Sequence, residues 1–255
     1  MSLILGLDTS GKTSSAAIVS GERILSQAGG QNAASAESLV ALVQSCCAEA
    51  QVGLPELSAL AAAAGPGSFT GLRTGIAAAQ GLACALGLPL YAVSVLLARS
   101  LPVLEPGAVL VPWIRASARE LFYASFAAQH AANAPDSQSS RWCVSSLGAE
   151  GILPADSSVH EIAATLAAQH GLLPVVFCAD LDGATGLYLG QNPASLAAKA
   201  CLLKFQAPGH SPALPHWQHS ERNGTGIHPI YIKGVSAKTL AERRIDSSNK
   251  ALPHS

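Results

Sequence analysis

Apolar residues fall in short blocks over the first hundred positions, and their spacing predicts the elements. Residues 3–7 form an apolar strand followed by a polar turn over 8–13. Residues 15–19 and 23–26 flank Ser20-Gly21-Glu22, which reads as a hairpin. Ser35 is placed to cap a helix running to residue 51, with Leu39, Leu42, Val43 and Cys46 at helical spacing. Residues 57–63 are apolar on both faces and short, as a buried central strand requires. A glycine-rich loop over 65–71 leads into a helix over 72–86 that Gly87 ends, and 90–93 is another short strand.

Past residue 100 the pattern loosens. Three prolines fall within 101–112, then strands are predicted over 109–114, 120–127 and 141–147, with an Ala-Asn-Ala-Pro-Asp-Ser-Gln turn region before the third. A helix over 159–169, a strand over 174–178 and a helix over 193–205 follow. Residues 208–226 read as a poorly structured linker and the chain from 237 as a polar tail. The order describes an α/β protein on a mixed sheet with two lobes, residues 1–100 and a smaller 101–190. A helix at 191–207 packs back toward the first lobe, and 208–255 carries the linker and tail.

Charge changes this picture most. Only 12% of the 255 residues are charged while 49% are hydrophobic, against roughly 25% charged in an ordinary domain. Arg73 is the sole charged residue between 57 and 98. A membrane span is disfavoured there, because Gly87 and Pro89 interrupt the run and small residues dominate it. The first residues also lack the pattern of a secretory signal, and a cytoplasmic protein is expected. With 15 basic and 16 acidic residues the net charge is -1, which argues against strong independent binding of nucleic acid. The six cysteines lack C-x-x-C spacing and read as free thiols in a reducing compartment. Every histidine lies at or beyond His130, and His210, His216 and His219 read as a polar loop rather than a metal site.

Two constellations carry candidate chemistry. Gly6 to Thr13 satisfies G-x-x-x-x-G-K-[ST], but a phosphate-binding loop of that kind must open a helix, and here a β run and Gly21 follow. A strand ending in Asp8-Thr9-Ser10 and returning as a hairpin instead resembles the way actin-like and sugar-kinase-like folds set an acid and small hydroxyls near phosphates. An Asx-type turn explains the same residues. The second constellation, Gly65 to Gly75, joins the buried strand to the helix, with Ser68 or Thr70 placed to cap it. Its glycines either free backbone N–H groups for an anion or permit tight packing. Arg73, alone in an apolar region, calls for a carboxylate or a partner surface.

Gly65-Pro66-Gly67-Ser68-Phe69-Thr70-Gly71-Leu72-Arg73-Thr74-Gly75-Ile76, continuing to Ala79-Gln80-Gly81-Leu82-Ala83, resembles the signature of the bacterial TsaB family, also called YeaZ. Ile4 to Ser10 and Pro229 to Lys233 match its pattern too; the likeness is strong over the first hundred residues and weak through the second lobe. The resemblance implies an actin-like ATPase (ASKHA, ribonuclease H-like) fold whose second lobe is smaller and degenerate, without catalysis or metal of its own. Members of the family are dimerisation and activation subunits of the machinery that adds a threonylcarbamoyl group to the adenosine beside the anticodon. They pair with a catalytic, metal-carrying paralogue, TsaD, and a small ATPase, TsaE, joins them; the donor comes from a separate synthase.

By that likeness the expected partners are a TsaD-like paralogue, a TsaE-like ATPase or a second copy of this chain, with tRNA reached only through the complex and no membrane. Leu39, Leu42, Val43, Arg73, Ile76, Ala79, Gln80 and Ala83 are the expected interface residues. Asp8, Thr9, Ser10, Gly65, Gly67, Ser68 and Thr70 are the candidates for contact with ATP or ADP. The chain departs from the family where Ile114-Arg115-Ala116-Ser117 replaces an Asp-Ala-Arg run, and no histidine precedes the helix at 37–51. The competing readings are an active phosphotransferase or ATPase using Asp8 and Thr9, and a peptidase of the glycoprotease class.

Overall fold

The computed structural model describes residues 2–31, 36–130, 142–148, 151–179, 193–205 and 218–220. The first lobe contains β1 (Leu3–Asp8), β2 (Thr13–Ser20), β3 (Arg23–Gln31), α1 (Ala36–Ala50), β4 (Ala59–Gly65), α2 (Phe69–Leu86), β5 (Leu90–Ser94) and α3 (Val95–Ser100). The second contains β6 (Ala108–Arg115), β7 (Glu120–Tyr123), β8 (Phe126–His130), β9 (Trp142–Ser146), β10 (Gly151–Pro154), α4 (Val159–His170) and β11 (Leu173–Cys178). Two late elements, α5 (Pro193–Phe205) and β12 (Gln218–Ser220), belong spatially to the first lobe.

The first sheet runs β12-β5-β4-β1-β2-β3, with β1, β4 and β5 parallel and the hairpin β1-β2-β3 antiparallel. Alternation along the strands splits its core into two layers. Leu5, Leu7, Leu60 and Ala62 face Leu39, Val43, Ile76, Ala79 and Ala83 of α1 and α2. Ile4, Ala59, Ala61 and Val93 face Leu196 and Ala198 of α5. Every residue of β4 is buried, as a strand covered on both faces must be. A Cβ on Gly6 would collide with the Ala194 carbonyl, so this glycine lets α5 lie directly on β1. Its place in the G-x-x-x-x-G-K-[ST] string reflects helix packing.

In the second sheet β6 pairs with β11 on one edge and with β7 and β8 on the other. The single strand predicted over 120–127 is divided because Pro112 stands opposite Ala124 and has no N–H to donate. The Pro112 carbonyl still accepts from the Ala124 N–H at 3.2 Å. Leu96 and Leu97 of α3 pack on one face, and Val159, Ala163 and Ala167 of α4 on the other.

Three elements depart from the sequence reading. The apolar run after residue 90 contains α3 as well as a strand, because the Ser94 side chain accepts from the Leu97 N–H and starts a helix. β10 is absent from that reading; its three half-buried residues and one exposed residue give little periodic signal. Part of the 208–226 linker forms β12, whose backbone pairs with the edge of β5. The Ser35 cap, the 132–138 turn, His210, His216, the 229–233 match and the tail from 237 lie outside the described residues.

Candidate functional site

The lobes meet over a cleft of about 550 Å³ lined by the β1–β2 turn, the start of the signature loop, α3 and the end of β6. Asp8, Ser10, Gly67 and Ser68 of the seven candidate nucleotide contacts line it; Thr9, Gly65 and Thr70 do not. Asp8 is buried and its Oδ1 accepts from the Ser10 N–H at 2.6 Å, an Asx turn that sharpens the exit from β1. Three cations, Lys12, Arg99 and Arg115, also line the space.

Arg99 escaped the sequence reading. Only its position, closing the long uncharged run between two serine-bearing segments, could have marked it. It is 6% exposed. Its Nη1 donates to the Ala179 carbonyl at 2.8 Å, just past β11, and its Nη2 to Ser10 Oγ at 3.3 Å. One guanidinium therefore joins the first lobe's turn to the second lobe's sheet.

The signature loop is a joint between the β1–β2 turn and α2. The Ser68 N–H donates to the Ser10 carbonyl at 2.7 Å. Ser68 then caps α2, its Oγ accepting from the Gly71 N–H at 3.2 Å. A Cβ on Gly67 would strike Ser10, and one on Gly71 or Gly75 would strike Thr9. Of the two roles open to these glycines, the geometry fits tight packing. Thr70 is exposed, and its carbonyl accepts from the Thr74 hydroxyl at 3.1 Å.

The expected partner face needs correction. Leu39, Val43, Ile76, Ala79 and Ala83 are at most 3% exposed and pack against the chain's own sheet. In this chain they hold the core. Leu42 and Gln80 are half-buried, and Arg73 is exposed with its guanidinium carbon 4.0 Å from the centroid of the Phe69 ring. That position removes the burial cost expected for a lone charge and gives it a cation–π contact. The outward side of α2 carries Arg73, Ala77, Gly81, Cys84 and Ala85, while α1 exposes Val40.

Burial raises the thiol pKa of Cys46 and of Cys47 on α1. Cys46 is enclosed, with Sγ 3.4 Å from the Ala16 carbonyl, whereas Cys84 is exposed. No group of three or more His, Cys, Asp or Glu side chains among the described residues could hold a metal ion. No described helix is long and apolar enough to cross a membrane.

The family profile described as "TsaD: tRNA N6-adenosine threonylcarbamoyltransferase" matches residues 17–133. An uncharacterized protein of Mycobacterium tuberculosis is 37% identical over 100 residues, covering 36% of this chain and 46% of that protein. This chain thus spans about half the length of that relative. The Escherichia coli tRNA threonylcarbamoyladenosine biosynthesis protein TsaB is 43% identical over 61 residues, covering 24% of this chain and 26% of that protein. The solved structure of YeaZ from Pseudomonas aeruginosa superposes with a TM-score of 0.60 at 23% identity, covering 91% of this chain and 100% of that one. The chain shares the fold of YeaZ, and part of its first-lobe sequence is similar to TsaB of Escherichia coli.

Proposed function

We propose that this chain is a noncatalytic subunit of the complex that adds a threonylcarbamoyl group to the adenosine next to the anticodon, and that it acts by docking a TsaD-like paralogue. The observation that carries this reading is the packing of the signature loop. Backbone groups at the start of α2 that would meet a phosphate in a nucleotide-hydrolysing relative are engaged by Ser10 and Ser68. The loop is built to fix a helix. That helix carries small outward residues and a cation on an aromatic ring, a surface that permits close approach of another helix. A TsaE-like ATPase and tRNA join through the paralogue in this account, and a second copy of the chain competes for the same face.

The competing enzymatic reading draws on the cleft, where Asp8, Lys12 and Arg99 surround space enough for ATP or ADP. The two are separated by mixing the purified chain with the threonylcarbamoyltransferase paralogue of the same genome. Docking predicts a complex stable through size exclusion and no ATP turnover by the chain alone. Turnover that disappears in Asp8→Ala, with no complex formed, would establish the enzyme instead.

A further inference from the structure

The β1–β2 turn contributes Asp8 and Ser10 to the cleft, yet Thr9 between them faces the other way. It is 2% exposed and its hydroxyl donates to the Gly71 carbonyl at 2.7 Å. Gly71 and Gly75 lie one helical turn apart, so they share one face of α2. A Cβ at Gly71 would strike the Thr9 carbonyl and one at Gly75 the Thr9 hydroxyl, both well inside the distances real Cβ atoms keep, and the latter would also lie a tight 3.3 Å from the Thr9 methyl. The first turn and a half of α2 rests on Thr9, on its backbone carbonyl at Gly71 and its side chain at Gly75, at a separation that two glycines permit. Arg73 and Ala77 follow Gly71 and Gly75 by two residues, about 200° around the axis. Any shift of the helix off Thr9 therefore displaces the outward row directly.

We infer that Thr9 is a positioning residue: its hydroxyl and methyl set the seat of α2 and, through it, the geometry of the partner-facing row. This rests on the docking function proposed above. It also assigns the hydroxyl away from phosphate chemistry, because its hydrogen bond is spent on the Gly71 carbonyl and its surroundings are closed to the cleft. The methyl lies 3.3 Å from where a Cβ on Gly75 would sit, while the hydroxyl makes the directional contact with the Gly71 carbonyl. Shape and hydrogen bond can be removed separately.

Three full-length variants test the assignment. Thr9→Val keeps the shape and loses the donor, Thr9→Ser keeps the donor and loses the methyl, and Gly75→Ala pushes on Thr9 from the helix side. Two readouts are taken on each: amide hydrogen exchange at residues 69–75 in the isolated chain, and the dissociation constant for the paralogue. In Thr9→Val and Gly75→Ala, exchange at the start of α2 should accelerate while that of β4 and β5 holds. The complex should weaken by about tenfold, the scale of one hydrogen bond. Thr9→Ser should restore most of the affinity. Unchanged exchange at 69–75 in Thr9→Val overturns the positioning role, whatever the binding result. Accelerated exchange with affinity within about twofold of the unaltered chain overturns its extension to the partner face. Should the unaltered chain not bind the paralogue, the proposed function fails, and the exchange data alone decide whether Thr9 seats the helix.

Discussion

Cys46 and Cys84 lie on the two helices that cover the same face of the first sheet, and their surroundings differ completely. Cys46 is enclosed among Ala16, Ser26 and the core, where burial disfavours the thiolate and raises its pKa; Cys84 is exposed on α2. Because the thiolate is the reacting species, iodoacetamide at about pH 8 should label Cys84 in the folded chain and leave Cys46 unmodified until denaturant is added. Peptide mass mapping reads the order directly, and early labelling of Cys46 would contradict its burial. A raised folded-state value carries a definite sign. The stability held by the protonated thiol is complete below the ordinary cysteine value and is lost as pH climbs through the raised one, so Cys46 weakens the fold on the alkaline side only. Sequence spacing placed Cys46 on the inner stripe of its helix. The Thr9 contact left no comparable mark, since a threonine in a polar turn has the same letters whether it faces solvent or a helix.

At the scale of elements, α2 shows what was readable and what was not. Its glycine stop and serine start follow from local chemistry that one sequence states openly: Gly87 adopts the left-handed conformation at φ 64° and Ser68 caps the first turn. Its faces did not follow. Alanine and glycine occupy both the inner and the outer side, so burial leaves no hydrophobic contrast to read, and Ile76, Ala79 and Ala83 were assigned to a partner although they belong to the core. The difference has a measurable consequence. Ala79→Glu puts an unpaired charge into the sheet-facing layer and should cost roughly 3–5 kcal/mol of stability, read by urea unfolding. Ala77→Glu, on the exposed side, should leave the unfolding midpoint near that of the parent while abolishing the complex with the paralogue. Reversed outcomes for the two variants would mean the helix faces are assigned wrongly.

Across the whole molecule, the shortage of charge records two sheets that are each covered on both faces. The order of most elements along the chain was legible because periodicity and turn residues are local. The tie between lobes was not, because Arg99 meets Ser10 and Ala179 only after both sheets have formed. The proposed docking role draws on three features: Arg99 bridges the cleft side, the signature loop is closed onto the first turn, and the outer side of α2 is exposed. The most direct test of that account is a reconstituted modification reaction containing the paralogue, the small ATPase, the threonylcarbamoyl-adenylate donor and unmodified tRNA, run with and without this chain. Modification should fall to background when the chain is omitted and return when it is added back, including as Asp8→Ala. Undiminished modification in its absence would contradict the account.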